Sequence, residues 1–172
     1  MPLGALTPGV LNALATSVAA IVPWETRAAP PVAMPDVASD RSQLDAREAL
    51  ALLPGGSRSM LATGVTEWDL KVPGYNFVYG YAVPDRFHAV VSLSRLHELE
   101  RESAAHDTRL LERATKEVLH EAGHLLGLGH CPDPNCVMHY SQTLQDTDMK
   151  SERFCPRCAR ELSRLPESSH EG

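Results

Sequence analysis

The segment His120-Glu121-Ala122-Gly123-His124 carries the clearest chemical signal of the chain. Two histidines four positions apart on a helix share one face, one turn apart along the axis, so both imidazoles can grip a single Zn²⁺ ion. A third histidine, His130, follows six residues later. On an unbroken helix it would sit roughly 15 Å from His120 along the axis and point elsewhere. Gly127 lies between them, and a residue without Cβ can adopt the left-handed conformation that ends a helix and folds the chain back. Three neutral imidazoles on one ion leave a fourth position for water, whose pKa falls to about 7 on the metal. Glu121, next to the first ligand, is the natural acceptor for its proton. HExxH alone also arises by chance in His- and Glu-rich helices. The further glycine and histidine at these spacings make a merely structural helix the weaker reading.

The four cysteines form a second pattern, Cys131 and Cys136 followed by the CxxC pair Cys155 and Cys158. Two short clips some twenty residues apart fit a closed tetrahedral Cys₄ zinc site, structural because no position is left for water. Two disulfides in any of three connectivities, or a CxxC redox pair, are the competing readings. Disulfides call for an exported protein, and no Lys or Arg precedes Arg27 to form the basic start of a secretory signal. A redox CxxC normally opens a helix in a βαβ context, and no such pattern is present here.

The run HEAGHLLGLGHCPDPNCVM followed by FCPRC, within residues 120–158, resembles the archaemetzincins, a branch of the metzincin zinc peptidases. The resemblance implies a catalytic zinc on His120, His124 and His130, with Glu121 as general base. It also implies a second, structural zinc on Cys131, Cys136, Cys155 and Cys158, and a methionine turn at Met138 beneath the catalytic metal. Upstream, the segments 64–66, 69–70, 72–80 and 90–96 resemble the strand region of the family. In metzincins the sheet edge that receives substrate is the strand before the active-site helix, which falls here near Phe87 to Leu93. Sixteen residues separate Met138 from Cys155, about one fewer than the family pattern. Met138-His139-Tyr140 is closer to the methionine turn of astacins and serralysins, where the tyrosine approaches the metal and can stabilise the oxyanion. Tyr140 is accordingly a candidate for transition-state stabilisation; an aromatic packed near the turn is the other reading. His139 is expected to face solvent or groups behind the ligands. The chain opens at Met1-Pro2-Leu3-Gly4, where family members begin with a full strand, so a short first strand or a late start is expected.

At 172 residues the chain suits one domain with a real core. The expected fold class is α+β: a metzincin-like zinc peptidase domain with a twisted mixed sheet packed on helices, one of them the long active-site helix. Residues 1–127 would form an upper subdomain with sheet and active-site helix. Residues 128–172 would form a small irregular lower subdomain with the methionine turn and the Cys₄ site. The pattern predicts helices over 6–19 and 42–53, the second capped by Asp40 or Ser42, and strands over 20–24, 59–65, 76–82 and 87–93. The zinc helix is predicted to start near Asp107, with Leu110, Leu111, Ala114, Val118, Ala122, Leu125 and Leu126 on its apolar face. A proline-rich loop over 28–40, a short helix near 158–165 and a frayed tail complete the expectation. His88, His97, His106 and His170 have no partner at ligand spacing and read as surface or packing residues.

A formal net charge of −6 argues against nucleic acid as a partner, since binders of it carry a basic patch. No stretch approaches eighteen uninterrupted apolar residues, so no membrane span is expected. The expected function is peptide-bond hydrolysis in the cytoplasm on a peptide or protein substrate, with two zinc ions per chain and a monomer assumed. A non-catalytic zinc-binding interaction module and a zinc amidase acting on small molecules are the alternatives. The module has no need of Glu121.

Overall fold

The computed structural model describes residues 1–4, 6, 8–33, 43–97 and 104–164. In chain order, β1 (Pro2–Leu3) and α1 (Pro8–Ile21) are followed by β2 (Leu44–Asp45), α2 (Ala46–Ala51) and β3 (Ala62–Thr66). Next come β4 (Leu70–Val72), β5 (Tyr75–Val78), β6 (Gly80–Val83) and β7 (His88–Ser92). The chain ends in α3 (Ala104–Leu125), α4 (Leu144–Met149) and α5 (Pro156–Ser163). This is the α+β architecture expected.

The main sheet has the order β1-β3-β7-β6, with β1, β3 and β7 parallel and β6 antiparallel to β7. All five residues of β7 are buried, as the nearly uninterrupted apolar run His88-Ala89-Val90-Val91-Ser92 requires of a strand covered on both faces. That burial overturns the expected edge. The segment Phe87 to Leu93 lies inside the sheet, and the edge strand beside it is β6. The reason is local: Pro84–Arg86 forms a 3-10 turn, Phe87 takes a left-handed φ of 48°, and the preceding strand folds back over the open side of β7. A smaller sheet, β2-β4-β5, sits beside the first, and β5 runs into β6 through a bend at Tyr79.

Other boundaries moved for physical reasons. The alanine-rich run at Ala20 stays helical to Ile21 and then bends, so the strand expected over 20–24 is absent. Leu44 and Asp45 pair with β4, which delays α2 to Ala46, and the Asp45 side chain accepts from the Arg47 N–H as its cap. Asp40 and Ser42, the expected caps, lie outside the described residues. Residues Ser57 to Met60 close a turn, leaving only Ala62–Thr66 as strand. The expected strand 76–82 is two strands, split at Tyr79. Helix α3 begins at Ala104, with Asp107 inside its first turn. The unexpected α4 owes its start to a capping box, in which Thr143 and Asp146 each satisfy the other's backbone N–H.

Two apolar clusters hold these elements. One joins α1, α3 and the C-terminal segment through residues such as Leu14, Val18, Leu119, Val137 and Met138. The other packs α2 under the sheet through Leu3, Leu50, Leu70 and Val90. Each fully buried aliphatic side chain contributes about 1.5–3 kcal/mol. Helix α3 lies between sheet and C-terminal segment, and so is fixed from both sides.

Candidate active site

The site is built on the last turns of α3 and the way that helix ends. Gly127 has φ +92°, its N–H donates to His124 O at 2.9 Å, and the Leu128 N–H donates to Gly123 O at 2.9 Å. This is a Schellman stop, and it needs a residue that tolerates the left-handed region. The turn also aims Leu128 O back at the helix, where it accepts from His124 Nδ1 at 2.8 Å. His120 Nδ1 donates likewise to Val137 O, at 2.8 Å. One reversal therefore stops the helix, orients the second histidine and returns the chain to deliver His130.

The three rings converge. Ring centroids are 4.6 Å apart for His120 and His124, 5.3 Å for His120 and His130, and 4.9 Å for His124 and His130. One nitrogen from each lies within 4.8 Å of the others. Burial lowers the pKa of all three, that of His120 most, with the positive charge of Lys150 as its next cause. The rings of His120 and His124 are therefore neutral, and since each Nδ1 donates to a carbonyl, each Nε2 carries a lone pair. These two nitrogens face each other at 3.1 Å. Two acceptors at that distance cannot hydrogen-bond; a cation between them satisfies both. A tetrahedral zinc with nitrogens at about 2.0–2.1 Å sets them roughly 3.3 Å apart, so the donor set fits the ion.

Glu121 is 5% exposed beside His120. Burial, then the neighbouring Glu117 carboxylate, pushes its pKa up to about 8, against an opposing pull from Lys150. Gly80 on β6 packs against it: a Cβ there would overlap the Glu121 carboxylate. Glu121 and the three histidines line a cleft of about 690 Å³, with residues 75–82 along its upper side and Tyr140, Ser141 and Gln142 below. The Tyr140 ring lies 4.9 Å from that of His130 and is 41% exposed, so it borders the ligand cluster and is not buried under the turn.

Behind the three histidines, Cys136 to His139 form a tight turn closed by His139 N–H to Cys136 O at 2.9 Å. Met138 at its tip is fully buried against Gly123. His139 is not one of the converging rings: its Nδ1 lies 3.0 Å from Cys131 O. The four cysteines are free thiols whose sulfurs lie within 4.8 Å of one another, with Cys131 and Cys155 3.8 Å apart. Zn–S bonds of about 2.3 Å in a tetrahedron give roughly that S···S spacing. Donors already face the sulfurs: Arg157 Nη2 to Cys131 at 3.2 Å, and the Cys155 N–H to Cys136 at 3.3 Å. At the start of α5, backbone N–H donation from Cys158 brings the Cys155 thiol down to about 7, while burial raises Cys136 and Cys158.

Sequence reasoning missed Glu117 and Lys150. Glu117 lies in the cleft, and its Oε1 is 2.9 Å from Lys150 Nζ in an ion pair whose approach is off the hydrogen-bond axis. Glu117 stands three residues before His120 and four before Glu121, so helical spacing alone could have placed it on the site face. Lys150, in a polar stretch, gave no such signal.

A zinc-type histidine triad across a glycine turn, a carboxylate beside it and a buried methionine turn define a metal-dependent peptidase of the metzincin kind. Residues 58–164 match the model of peptidase family M54. The archaemetzincin of Pyrococcus horikoshii is 44% identical over 136 residues, which cover 77% of this chain and 72% of that protein. The crystal structure of the Archaeoglobus fulgidus archaemetzincin complexed with malonate superposes with a TM-score of 0.78 at 33% identity, covering 93% of this chain and 96% of that one. A zinc-dependent peptidase from Methanocorpusculum labreanum has a TM-score of 0.75 at 28% identity, with 94% and 97% covered. The chain belongs to peptidase family M54, the archaemetzincins. It is a zinc metallopeptidase, with one residue group suited to a catalytic and one to a structural zinc ion. Its substrates are peptides, and among the described residues no helix is long and apolar enough to cross a membrane.

Proposed function

We propose that His120, His124 and His130 hold the catalytic zinc, that Glu121 is the general base, and that Cys131, Cys136, Cys155 and Cys158 hold the structural zinc. The observation that carries this reading is the pair of Nε2 lone pairs facing each other at 3.1 Å beside a buried carboxylate. When bound, the catalytic zinc supplies Lewis acidity toward the scissile carbonyl and the attacking water. Glu121 takes the proton from that water and delivers it to the leaving amine. Gly80 keeps the wall close to that carboxylate, and the open backbone of β6 pairs with an extended substrate as an added strand. Tyr140, at the rim beside His130, donates its hydroxyl hydrogen to the oxyanion. Residues 1–127 act as the upper subdomain, bearing sheet and active-site helix, and 128–172 as the lower one.

The enzyme works as a monomer in the cytoplasm, without nucleic acid or membrane as partner. A reducing compartment keeps four thiols available to a metal, and the net charge of −6 offers no basic surface. Glu121→Ala tests the reading. The variant is expected to keep two zinc ions per chain while hydrolysis of a peptide library falls about 10²–10⁴-fold. Unchanged turnover would end the assignment.

A further inference from the structure

Glu117 and Lys150 put a compensated charge on the floor of the cleft. Glu117 stands one helical turn before Glu121 on the same face of α3, lines the cleft and is 3% exposed. Lys150 approaches its Oε1 at 2.9 Å with a side chain wholly removed from solvent, and the Thr147 hydroxyl donates to the same oxygen at 3.3 Å. A buried ion pair is poor evidence of stabilisation by itself. Removing a lysine from water is costly, and a packed apolar pair would hold the same elements at least as well. The position of the pair suggests a different role. Among the described residues lining the cleft, only Glu117 and Glu121 carry carboxylates. Glu121 is the assigned base. Glu117, one helical turn away, is the other carboxylate of the cleft, a charge that would favour a free α-ammonium there, and Lys150 cancels it.

The wall of the cleft supports the same conclusion independently. Residues 75–82 line it without a break, and Gly80, which touches Glu121, lies inside that run. The four extended residues of β5, Tyr75–Val78, about 13 Å of wall, and the bend at Tyr79 precede Gly80, and Tyr81, Ala82 and Pro84 continue beyond it. The wall therefore extends on both sides of the base.

We propose that Glu117, neutralised by the buried Lys150, is a specificity-determining residue that sets this enzyme to cut within extended peptide segments, with no preference for a free amino terminus. The proposal rests on the zinc-peptidase reading of the same site.

The test uses the zinc-loaded enzyme and two peptides of one sequence, one N-acetylated and one with a free amine, and reads the ratio of their kcat/KM values. The wild-type ratio is expected within about twofold of unity, with internal fragments as products. A tenfold or greater preference for the free amine, or products shortened singly from the amino end, would overturn the proposal. Lys150→Met leaves Glu117 uncompensated and is expected to favour the free amine by about tenfold. Glu117→Gln leaves a lone cation and is expected to move the ratio the other way, and the double variant to return it to unity. Both rates come from one preparation, so the folded fraction cancels even if a single variant is unstable. A merely structural pair lowers both rates together and leaves the ratio fixed in every variant, which would sink the role of Glu117. Failure of the wild-type enzyme, with two zinc ions bound, to cut either peptide would instead overturn the peptidase assignment of this site.

Discussion

Gly123 and Met138 occupy one packing space: a Cβ on the glycine would overlap the thioether sulfur and lie 3.0 Å from the methionine methyl. The helix that carries His120 and His124 therefore rests directly on the turn beneath them. Neighbouring Val137 supplies the carbonyl that orients His120, so the contact couples packing to ligand geometry.

Gly123→Ala should push the enclosed Met138 side chain, and the turn that carries it, away from the helix. Overpacking of this kind costs about 1–3 kcal/mol. The expected result is a less stable protein with weaker catalytic zinc binding, read by denaturant unfolding and chelator competition. Native stability and zinc affinity in this variant would show that the turn does not support the ligands.

Gly80→Ala should behave differently. The atoms its Cβ meets belong to the Glu121 side chain, including Cδ at 2.7 Å, and that side chain borders the cleft and can swing into it, whereas Met138 is enclosed on all sides. Stability and zinc content are expected to hold while kcat drops at least about tenfold, because the base is displaced. Steady-state kinetics beside metal analysis separates the two effects.

Gly127→Ala probes backbone alone. Open space surrounds the position, but φ is +92°. A cost of roughly 1–2 kcal/mol is expected, and Gly127→Asn should lose less, because asparagine tolerates this region. Thermal melts of the two variants give the comparison. Equal stability of all three proteins would mean that the turn has relaxed to another conformation.

Cys155→Ser should remove the structural ion without touching a catalytic group. The segment from Gly129 to Cys158 contains one six-residue helix, α4, and the start of α5, and its buried apolar residues are few, so an ion held by the cysteines is expected to supply much of its order. One zinc per chain, a lower melting temperature and reduced turnover are the expected readings. Full activity and heat resistance in this variant would remove the second metal from the account.

The histidine triad was legible because helix periodicity fixes His120 against His124, and because a glycine at 127 lets the chain turn back to deliver His130. The cysteine clips were legible from spacing alone. Strand order was not. Whether 87–93 lies at an edge depends on where 80–83 folds back, and that turns on a left-handed Phe87 that no pattern announces. The split of 76–82 at Tyr79 was hidden because each half satisfies strand propensity. Lys150 was hidden for another reason: a lysine is presumed to be wet until its acidic partner, 33 positions earlier in sequence, is placed beside it.

The two orienting oxygens at Leu128 and Val137 belong to the main chain. What those positions contribute to the ligands is therefore indifferent to their side chains and sensitive only to the path of the polypeptide. Drift among apolar residues there can leave the imidazole tautomers untouched, so variation beside the metal need not signal a change of chemistry.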